Sequence, residues 1–440
     1  MKKQNLIFST TLLATLTLST TLNASLYEDI TKSYKDITDS KGTVIVPYAF
    51  SSESTGLVGG LGYIKQGVFQ PHTTLIAAAM YGADEDTIVN GENKTDNFSG
   101  AFISFSNYRL PFTDRVFLSF IGLKSYFPNS VNYLSNGSND SKKGQSLVSS
   151  GDSDFFNSTF SYMLPIGEGL NNPEQIYKLK NGFAMNREGT GGGKVFETGF
   201  TAIGLKTFYQ YNSYKNDQLE SLKEWSTNGI RLFLEHDNTD YNLNPSRGYN
   251  FLLQYSQDFG SGSSTQSWDF LELKYSQYFN LDTFSFTQQN VLALNAWTGY
   301  SFSWDNSTQV DEKGFMDANR PPPWEGARLG GFSRMRAYDS NRFSDKAAIY
   351  ATAEYRTILD WNPFRKNEYI PVAVDWIQLA AFVEVGRVHE KYDFDLLTDL
   401  KYDAGVSLRA MIAQIPVRFD VAYGEEGTNF WLMVYQPFDF

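Results

Sequence analysis

The feature that most constrains this chain is a two-residue alternation of apolar and polar side chains, which begins near Thr43 and recurs to the last residues. In the segment 415–423, Phe419 and Val421 alternate with Arg418 and Asp420. A period of two places the two sets on opposite faces of a β-strand. The clearest segments run roughly 9–13 residues, the length that a tilted strand needs to cross a bilayer, whereas strands of soluble sandwiches are usually shorter. The pattern therefore predicts strands with one lipid-facing side and one side lining an enclosed interior.

The number of alternating segments supports a closed barrel. We predict strands over 43–50, 56–64, 73–81, 99–107, 116–125, 155–164, 195–208, 229–235, 248–257, 268–278, 285–300, 347–359, 376–386, 401–411, 415–424 and 429–440. This even count suits a bacterial barrel with both ends in the periplasm. The predicted fold is all-β, a 16-stranded antiparallel transmembrane β-barrel over residues 43–440. In such a barrel, long external loops alternate with short periplasmic turns. The predicted periplasmic turn 165–194 departs from this alternation, because it is long and contains about enough residues for a helix around 171–184.

The first residues have the composition of an export signal. Lys2 and Lys3 precede an apolar, threonine-rich run from Leu6 to Leu22, and small residues end at Ala24. This order is typical of a secretory signal peptide. We therefore predict a signal peptide at 1–24, a short periplasmic segment at 25–42, and a location in the bacterial outer membrane.

Composition narrows the possible partners and chemistry. The chain has 37 basic and 49 acidic residues and no cysteine. An acidic chain does not suit nucleic acid, which binds basic surfaces, and the lack of cysteine removes disulfides and thiolate sites. His72, His236 and His389 fall in different predicted connections, so we expect no metal, no cofactor, no catalytic residue and no enzyme activity.

The longest predicted external loop, 301–346, carries Arg336. The alternation places Glu384 and Asp403 on the polar face of the thirteenth and fourteenth strands. A charge on the lipid face would cost up to about 2–4 kcal/mol for a basic residue near the bilayer midplane and less for an acidic one, so this register is well defined. If the loop folds into the lumen, Arg336 can form charge-assisted bonds to a carboxylate; in the alternative, Arg336 stays in solvent outside the barrel.

Four motifs resemble those of the BamA/TamA superfamily of outer-membrane assembly factors, the bacterial surface antigens. Residues 335–338 (Met-Arg-Ala-Tyr) resemble the arginine-glycine-aromatic tip of that family's sixth external loop. Residues 382–386 are similar to its Phe-x-Asp-x-Gly strand, residues 402–405 to its next acidic strand, and residues 244–249 to its turn between strands eight and nine. The resemblance implies a loop-lumen motif of Arg336, Tyr338, Glu384 and Asp403. Ala337 and Glu384 depart from the usual glycine and aspartate.

The last predicted strand also resembles a family feature. Apolar residues occupy alternate positions there, namely Phe430, Leu432, Val434, Phe438 and Phe440. This pattern resembles the sorting signal that outer-membrane barrels present to the barrel-assembly machinery, and it equally suits a closing strand. The resemblance implies that the first strand (43–50) and the last (429–440) meet at a seam. We predict that this seam is weak, because the first strand is short and Pro437 would remove a ladder hydrogen bond in the last.

The resemblance implies a role in outer-membrane protein insertion, assembly or transport, with outer-membrane lipid and an unidentified membrane or periplasmic client as partners. Family members with such roles carry periplasmic POTRA repeats, and 25–42 is too short for one, so a POTRA-less member is expected. One alternative is a passive porin-like channel, and another is a structural or partner-holding barrel. The channel would be lined by the lumen-facing charges Arg231, Glu235, Glu272, Lys274, Glu354, Arg356, Arg409, Arg418 and Asp420.

Overall fold

The computed structural model describes most of the chain from Thr43 onward. The described residues are 43–52, 54–70, 73–83, 85–89, 92–134, 137–175, 177–186, 197–216, 223–310, 316–365, 374–412 and 415–439. The predicted signal peptide and the segment 25–42 lie outside them.

One antiparallel sheet dominates the fold, and its sixteen strands lie in sequence order. They are β1 (Thr43–Ser52), β2 (Gly56–Gln66), β3 (Thr74–Gly82), β4 (Ser99–Arg109), β5 (Val116–Asn132), β6 (Leu147–Met163), β7 (Phe200–Ser213), β8 (Glu224–Asp237), β9 (Gly248–Asp258), β10 (Trp268–Leu281), β11 (Thr287–Tyr300), β12 (Ala347–Leu359), β13 (Val374–His389), β14 (Lys401–Ile412), β15 (Ile415–Gly424) and β16 (Gly427–Val434). The predicted all-β class and strand number are confirmed.

The burial of side chains is the reverse of that in a soluble domain. On β15, Arg418 and Asp420 are completely buried, whereas Tyr423 is 71% exposed. On β14, Asp403 and Arg409 are buried and Tyr402 is exposed. The sheet therefore encloses its ionic side chains and presents its apolar ones outward, as the alternation predicts for a barrel wall.

We call the end of the barrel that carries the connection 301–346 the outer end, and the opposite end the inner end. β5 and β6 are each 17 residues long and exceed the predicted segments, because residues after 125 and before 155 continue to pair as a hairpin. A smaller hairpin, Glu85–Val89 with Glu92–Asp96, also extends the outer end.

The chain leaves the sheet earlier than predicted at its last strand. β16 ends at Val434, Tyr435 has a φ of 64°, and Pro437–Asp439 form a 3₁₀ turn. The left-handed backbone at Tyr435 ends the extended ladder and directs Phe438 into the barrel interior, where it packs with Tyr278 and is 3% exposed. The prediction that Phe438 lies on the last strand is therefore wrong. Pro437 lies beyond the ladder and does not weaken it, and Phe440 lies outside the described residues.

The inner connection between β6 and β7 contains no α-helix in its described part, although its length had left room for one. Gly167–Leu170 form a 3₁₀ turn, and Leu179–Lys180 pair with Phe183–Ala184. Gly182, with φ 75°, makes the tight turn of this hairpin, which lies under the inner end of β13, where Trp376 Nε1 donates to the Gly182 carbonyl at 3.2 Å. Across the described residues, no helix has the length and apolarity needed to cross a membrane.

β1 and β16 are the two edges of the sheet. Within the part of the chain that the structure describes, no backbone ladder joins them. We call this pair of unpaired edges the seam.

Candidate functional site

The loop between β11 and β12, residues 301–346, folds back through a tight turn. Its two arms pair as Ala327–Leu329 with Phe343–Asp345. Gly330 has a φ of 103° and a Cβ there would lie 2.3 Å from the Asp339 carbonyl oxygen, so only glycine fits. The amide of Gly331 donates to the carbonyl of Tyr338 at 3.0 Å. These bonds bring residues 335–338, which we call the loop tip, against the barrel wall.

The loop tip is packed in the barrel interior. Met335, Ala337 and Tyr338 are each at most 1% exposed. They belong to one apolar cluster with wall residues that include Phe382 on β13 and Ala422 on β15. Removing such apolar surface from water stabilises the folded loop by about 25 cal/mol per Å².

Arg336 is fully buried and faces three carboxylates. Its backbone amide donates to Glu384 Oε2 at 2.6 Å, and its Nε donates to Glu384 Oε1 at 3.2 Å. Its Nη2 donates to Glu354 Oε1 at 2.8 Å and its Nη1 to Asp420 Oδ2 at 3.4 Å. The guanidinium carbon lies 3.3 Å from the centroid of the Phe382 ring. The donors of one planar guanidinium therefore bind three different carboxylates.

The environment keeps Arg336 charged. Burial alone would lower the pKa of its guanidinium, but the charges of Glu384 and Glu354 outweigh the burial and raise that pKa above its ordinary value. A buried ion is tolerated only where partners replace the lost water.

Further arginines surround the same carboxylates. Arg409 donates from Nη2 to both oxygens of Glu354 at 3.0 Å, and Arg356 donates from Nε to Glu354 at 2.8 Å. Arg418 contacts Asp420 and donates from Nη2 to the carbonyl of Phe332 at 2.7 Å. Four arginines and the carboxyl groups of Glu354, Glu384, Asp403 and Asp420 form what we call the lumen charge cluster.

The structure brings together the four residues of the predicted loop-lumen motif. Asp403 accepts from the amide of Ala337 at 3.0 Å, rather than from a guanidinium. The hydroxyl of Tyr338 donates to the carbonyl of Tyr402 at 3.3 Å. Arg336 therefore lies in the lumen, and the alternative of a solvated Arg336 is wrong.

Sequence reasoning missed that Glu354 and Asp420 also bind Arg336. Alternation had placed both on the lumen face, but as part of a channel lining. The cross-strand register could have shown that two acidic side chains lie side by side on the lumen face, because Glu384 pairs with Asp403 across β13 and β14. It could not show that a loop would enter between them.

A second set of contacts holds the loop near the outer end. Arg342 is fully buried; it donates from Nε and Nη2 to Glu426 at 2.7–3.0 Å and from Nη1 to Ser141 Oγ at 2.7 Å. The hydroxyl of Tyr133 donates to Asp339 at 2.8 Å. We call these residues the outer clasp, since they join three outer connections.

The loop tip also contacts the last strand of the sheet. Trp431 Nε1 on β16 donates to the carbonyl of Arg336 at 2.7 Å. Phe430 and Leu432 point outward and are each 47% exposed. Val434 ends the strand opposite Val417. The seam edge and the loop tip are therefore directly linked.

The histidines do not come together in the described residues. His236 is buried on β8, where its Nδ1 lies 2.8 Å from the Thr201 hydroxyl, and His72 lies outside those residues. His389, Asp393 and Asp395 place ligand-type atoms within 4.8 Å of one another. Two of the three are exposed, and Asp393 already accepts from the amide of Asp395, an arrangement common in loops that hold no metal.

Comparison with known proteins identifies the family. The Omp85 superfamily domain matches residues 183–431. BamA from Haemophilus ducreyi lacking POTRA domains 1-3 is similar in structure at 13% identity and a TM-score of 0.48, covering 90% of this chain and 69% of that chain. CdiB from Escherichia coli is similar at 13% identity and a TM-score of 0.53, covering 89% of this chain and 61% of that chain, and it supports the barrel fold. No curated protein matches the chain by sequence. The domain match spans more than half of the sequence, and this chain belongs to the Omp85 superfamily.

Proposed function

We propose that this protein is a bacterial outer-membrane β-barrel that acts in the insertion, assembly or transport of other proteins, without catalysing a chemical reaction. The observation that carries the proposal is the loop tip, which is held in the lumen by Arg336 and bonded to β16 at the seam. Membership of the Omp85 superfamily supports it. The chain spans 69% of the BamA chain and 61% of the CdiB chain.

The outward surface supports placement in a membrane. Leu61, Val383 and Leu408 are 53–60% exposed on the outer face of the sheet, and in water such a surface would be an aggregation hazard. Exposed aromatic residues stand at both ends of the wall, including Phe69 and Phe112 at the inner end and Tyr402 at the outer end. Aromatic girdles at both interfaces are typical of transmembrane barrels.

The seam supplies the proposed mechanism. A strand edge presents backbone donors and acceptors that can pair with a segment of another chain. We infer that a client segment pairs with the edge of β1 or β16 while the loop tip keeps the lumen filled. Because Trp431 bonds to the carbonyl of Arg336, movement at the β16 edge strains the loop tip, and the two act together.

A passive channel is the second candidate, and the lumen charges were its sequence-based support. Five of those nine charges, however, are buried in the lumen charge cluster; Arg231 pairs with Glu325, and Lys274 donates to the carbonyl of Phe438 at 2.9 Å. Groups bonded in this way do not line open water. The candidate predicts large, steady conductance in planar bilayers, whereas an Omp85-type barrel with a filled lumen gives low conductance.

The experiment is conditional depletion in the native organism, followed by quantification of every outer-membrane protein. Complementing alleles carry a cysteine at Ile45 in β1 with a second at Phe430 or Leu432 in β16, in a chain that has no native cysteine. Depletion should remove a defined set of outer-membrane proteins, and a pair that cross-links should restore them only under reducing conditions.

The control is a cysteine pair at Leu61 and Ala79, which are cross-strand partners in β2 and β3. It should complement whether oxidised or reduced, because that junction is already paired. An outer membrane that loses no protein on depletion contradicts the assembly role.

A further inference from the structure

Charged side chains line the barrel interior in two regions. The lumen charge cluster is balanced, because its four arginines face four carboxyl groups. The second region lies on the lumen face of β7, β8 and β10 and on the part of the loop 301–346 that precedes the loop tip. Among the described residues, and between the strand ends, it holds five cations and three carboxylates, namely Lys206, Arg231, Lys274, Arg328 and Arg334 with Glu235, Glu272 and Glu325. This second region therefore has an excess of two positive charges.

The flanking strands do not compensate this excess. On β12, Glu354 and Arg356 bind one another in the lumen charge cluster. The lumen-facing side chains at the middle of the strands beside and between the charged ones are neutral, namely Asn157 and Thr159 on β6, Gln254 and Ser256 on β9, and Asn295 and Trp297 on β11.

Two of the three carboxylates already have close partners. Arg231 Nη2 donates to Glu325 Oε1 at 2.5 Å. Glu272 accepts from two neutral donors, Trp297 Nε1 at 2.8 Å and Gln254 Nε2 at 2.6 Å. The third carboxylate, Glu235, lies four residues further toward the inner end than Arg231 on β8.

Three cations of this region, which we call the basic site, remain without an ion pair. Within the part of the chain that the structure describes, no carboxylate oxygen lies within 4.0 Å of the charged nitrogen atoms of Lys206, Arg328 or Arg334. The charges of Glu272 and Glu325 act on all three, so the three cations surround the same two carboxylates. Like charges held together in this way repel one another.

The donors of the basic site are held in place and remain accessible. The guanidinium carbon of Arg334 lies 3.8 Å from the centroid of the Trp297 ring, and its backbone carbonyl accepts from the amide of Gly330 at 3.0 Å. Stacking on a ring fixes a guanidinium by its face and leaves the N–H groups at its edge free to donate. Unlike Nη1 and Nη2 of Arg356, the donor nitrogen atoms of Arg334 and Lys206 are not sealed from the space inside the barrel.

The chemistry of the three cations favours a phosphate group as their partner. A cation inside a protein is costly unless water or an anion replaces the missing carboxylate. Guanidinium groups bind phosphate oxygens through paired N–H donors, and lysine binds them as a point charge. A phosphate monoester is close to a dianion at slightly alkaline pH, which matches the excess of two charges, whereas a carboxylate carries only one.

We propose that the basic site binds a phosphate dianion inside the barrel, either free phosphate or the phosphate monoester of a lipid headgroup. The edges of the Arg328 and Arg334 guanidinium groups donate to its oxygens, and the ammonium of Lys206 adds a third cation. Arg328 also donates from Nη1 to Asn341 Oδ1 at 2.6 Å, which leaves its other N–H groups for the ligand. This site depends only on the fold, so its failure would not contradict the assembly role proposed above.

The test uses the purified full-length protein in detergent micelles. Inorganic phosphate is the first probe, and dodecyl phosphate, a monoester with an alkyl chain, is the second. Isothermal titration calorimetry at low ionic strength and slightly alkaline pH measures the affinity, with acetate as the reference anion. We expect phosphate to bind more tightly than acetate. Arg334→Gln should weaken binding roughly tenfold or more, the scale of one lost charge-assisted contact, and Lys206→Gln should also weaken it.

The matched control is Lys391→Gln, which removes a cation at the outer end whose side chain is 70% exposed; it should bind phosphate as the wild type does. Equal affinity for the two probes would support recognition of the phosphate alone, and binding of dodecyl phosphate alone or more tightly would support a lipid headgroup. The proposal is overturned if neither probe binds better than acetate, or if both bind equally to the wild type, Arg334→Gln and Lys206→Gln. If Arg334→Gln does not fold, Lys206→Gln decides the outcome.

Discussion

Arg336 binds Glu384 twice, through its backbone amide to one carboxylate oxygen at 2.6 Å and through its guanidinium Nε to the other at 3.2 Å. The first bond fixes the loop backbone and the second fixes the side chain. A charge on the barrel wall therefore determines the position of the loop tip as well as the direction of one side chain.

Replacing Arg336 with alanine should destabilise the barrel strongly. Glu384, Glu354 and Asp420 would lose a buried counter-charge, and breaking a buried ion pair in this way costs about 3–5 kcal/mol. The temperature at which the folded band disappears on SDS gels should fall, and conductance in planar bilayers should rise. Arg336→Lys should be intermediate, because lysine keeps the charge but lacks the fork.

The control is Lys391→Ala, a cation in another outer connection whose side chain is 70% exposed. Its effect should stay within about 0.5 kcal/mol, as for most surface substitutions. Equal behaviour of the Arg336 and Lys391 variants would contradict a buried role for Arg336.

Glu354→Gln should be at least as damaging as loss of Arg336. The carboxylate of Glu354 accepts hydrogen bonds from Arg336, Arg356 and Arg409, so its neutralisation leaves three buried guanidinium groups facing one another. We expect a loss of about 3–5 kcal/mol, measured as the same thermal shift on gels. Glu390→Gln, at an exposed carboxylate, should leave the transition unchanged; a neutral result at Glu354 would show that the cluster does not stabilise the barrel.

Gly330→Ala should disturb the loop without touching the barrel wall. The residue has a φ of 103°, and a Cβ would lie 2.3 Å from the carbonyl oxygen of Asp339. A residue forced into such a conformation costs about 1–3 kcal/mol, before the clash is counted. Limited proteolysis within 301–346 should accelerate. Gly59→Ala is the matched control, since no atom lies within 4 Å of its Cβ, and it should digest as the wild type does.

Arg342→Ala should open the outer clasp while leaving the loop tip in place. The substitution removes the bonds to Glu426 and Ser141, so the connections that contain those residues lose a common anchor. Hydrogen exchange should rise in residues 137–146 and 339–346 and stay slow at 335–338. Fast exchange at 335–338 in this variant would mean that the clasp, rather than Glu384, holds the tip.

The strands of the barrel wall could be predicted from the sequence, because each strand shows the alternation of apolar and polar residues by itself. The alternation of Arg418 and Asp420 with Phe419 and Val421 has only one arrangement that keeps charge out of lipid, and the structure has it. The end of β16 was not predictable in this way, since Phe438 continues the apolar alternation and only the backbone at Tyr435 reverses it.

The site was predictable in part for a similar reason. Family resemblance and the alternation together placed Arg336, Glu384 and Asp403 in the lumen. Glu354 and Asp420 bind the same guanidinium only because the loop tip enters the lumen to a particular depth. These are tertiary contacts, since Glu354 and Asp420 lie 18 and 84 residues after Arg336 in the chain. No local pattern encodes that depth.

The most direct measurement of the central claim is a disulfide between Ala337→Cys in the loop tip and Gly424→Cys at the outer end of β15. A Cβ at Gly424 would lie 3.0 Å from that of Ala337, so a small outward shift of the two side chains brings them to the Cβ separation of about 3.5–4.5 Å that a disulfide requires. The chain has no native cysteine to compete. With the loop tip in the lumen, the pair should form on mild oxidation of the folded protein and alter its mobility on non-reducing gels. Ala337→Cys with Ser263→Cys, in the connection between β9 and β10, should not. Thiols at 337 and 424 that stay free and react readily with a water-soluble reagent outside the barrel would contradict the account.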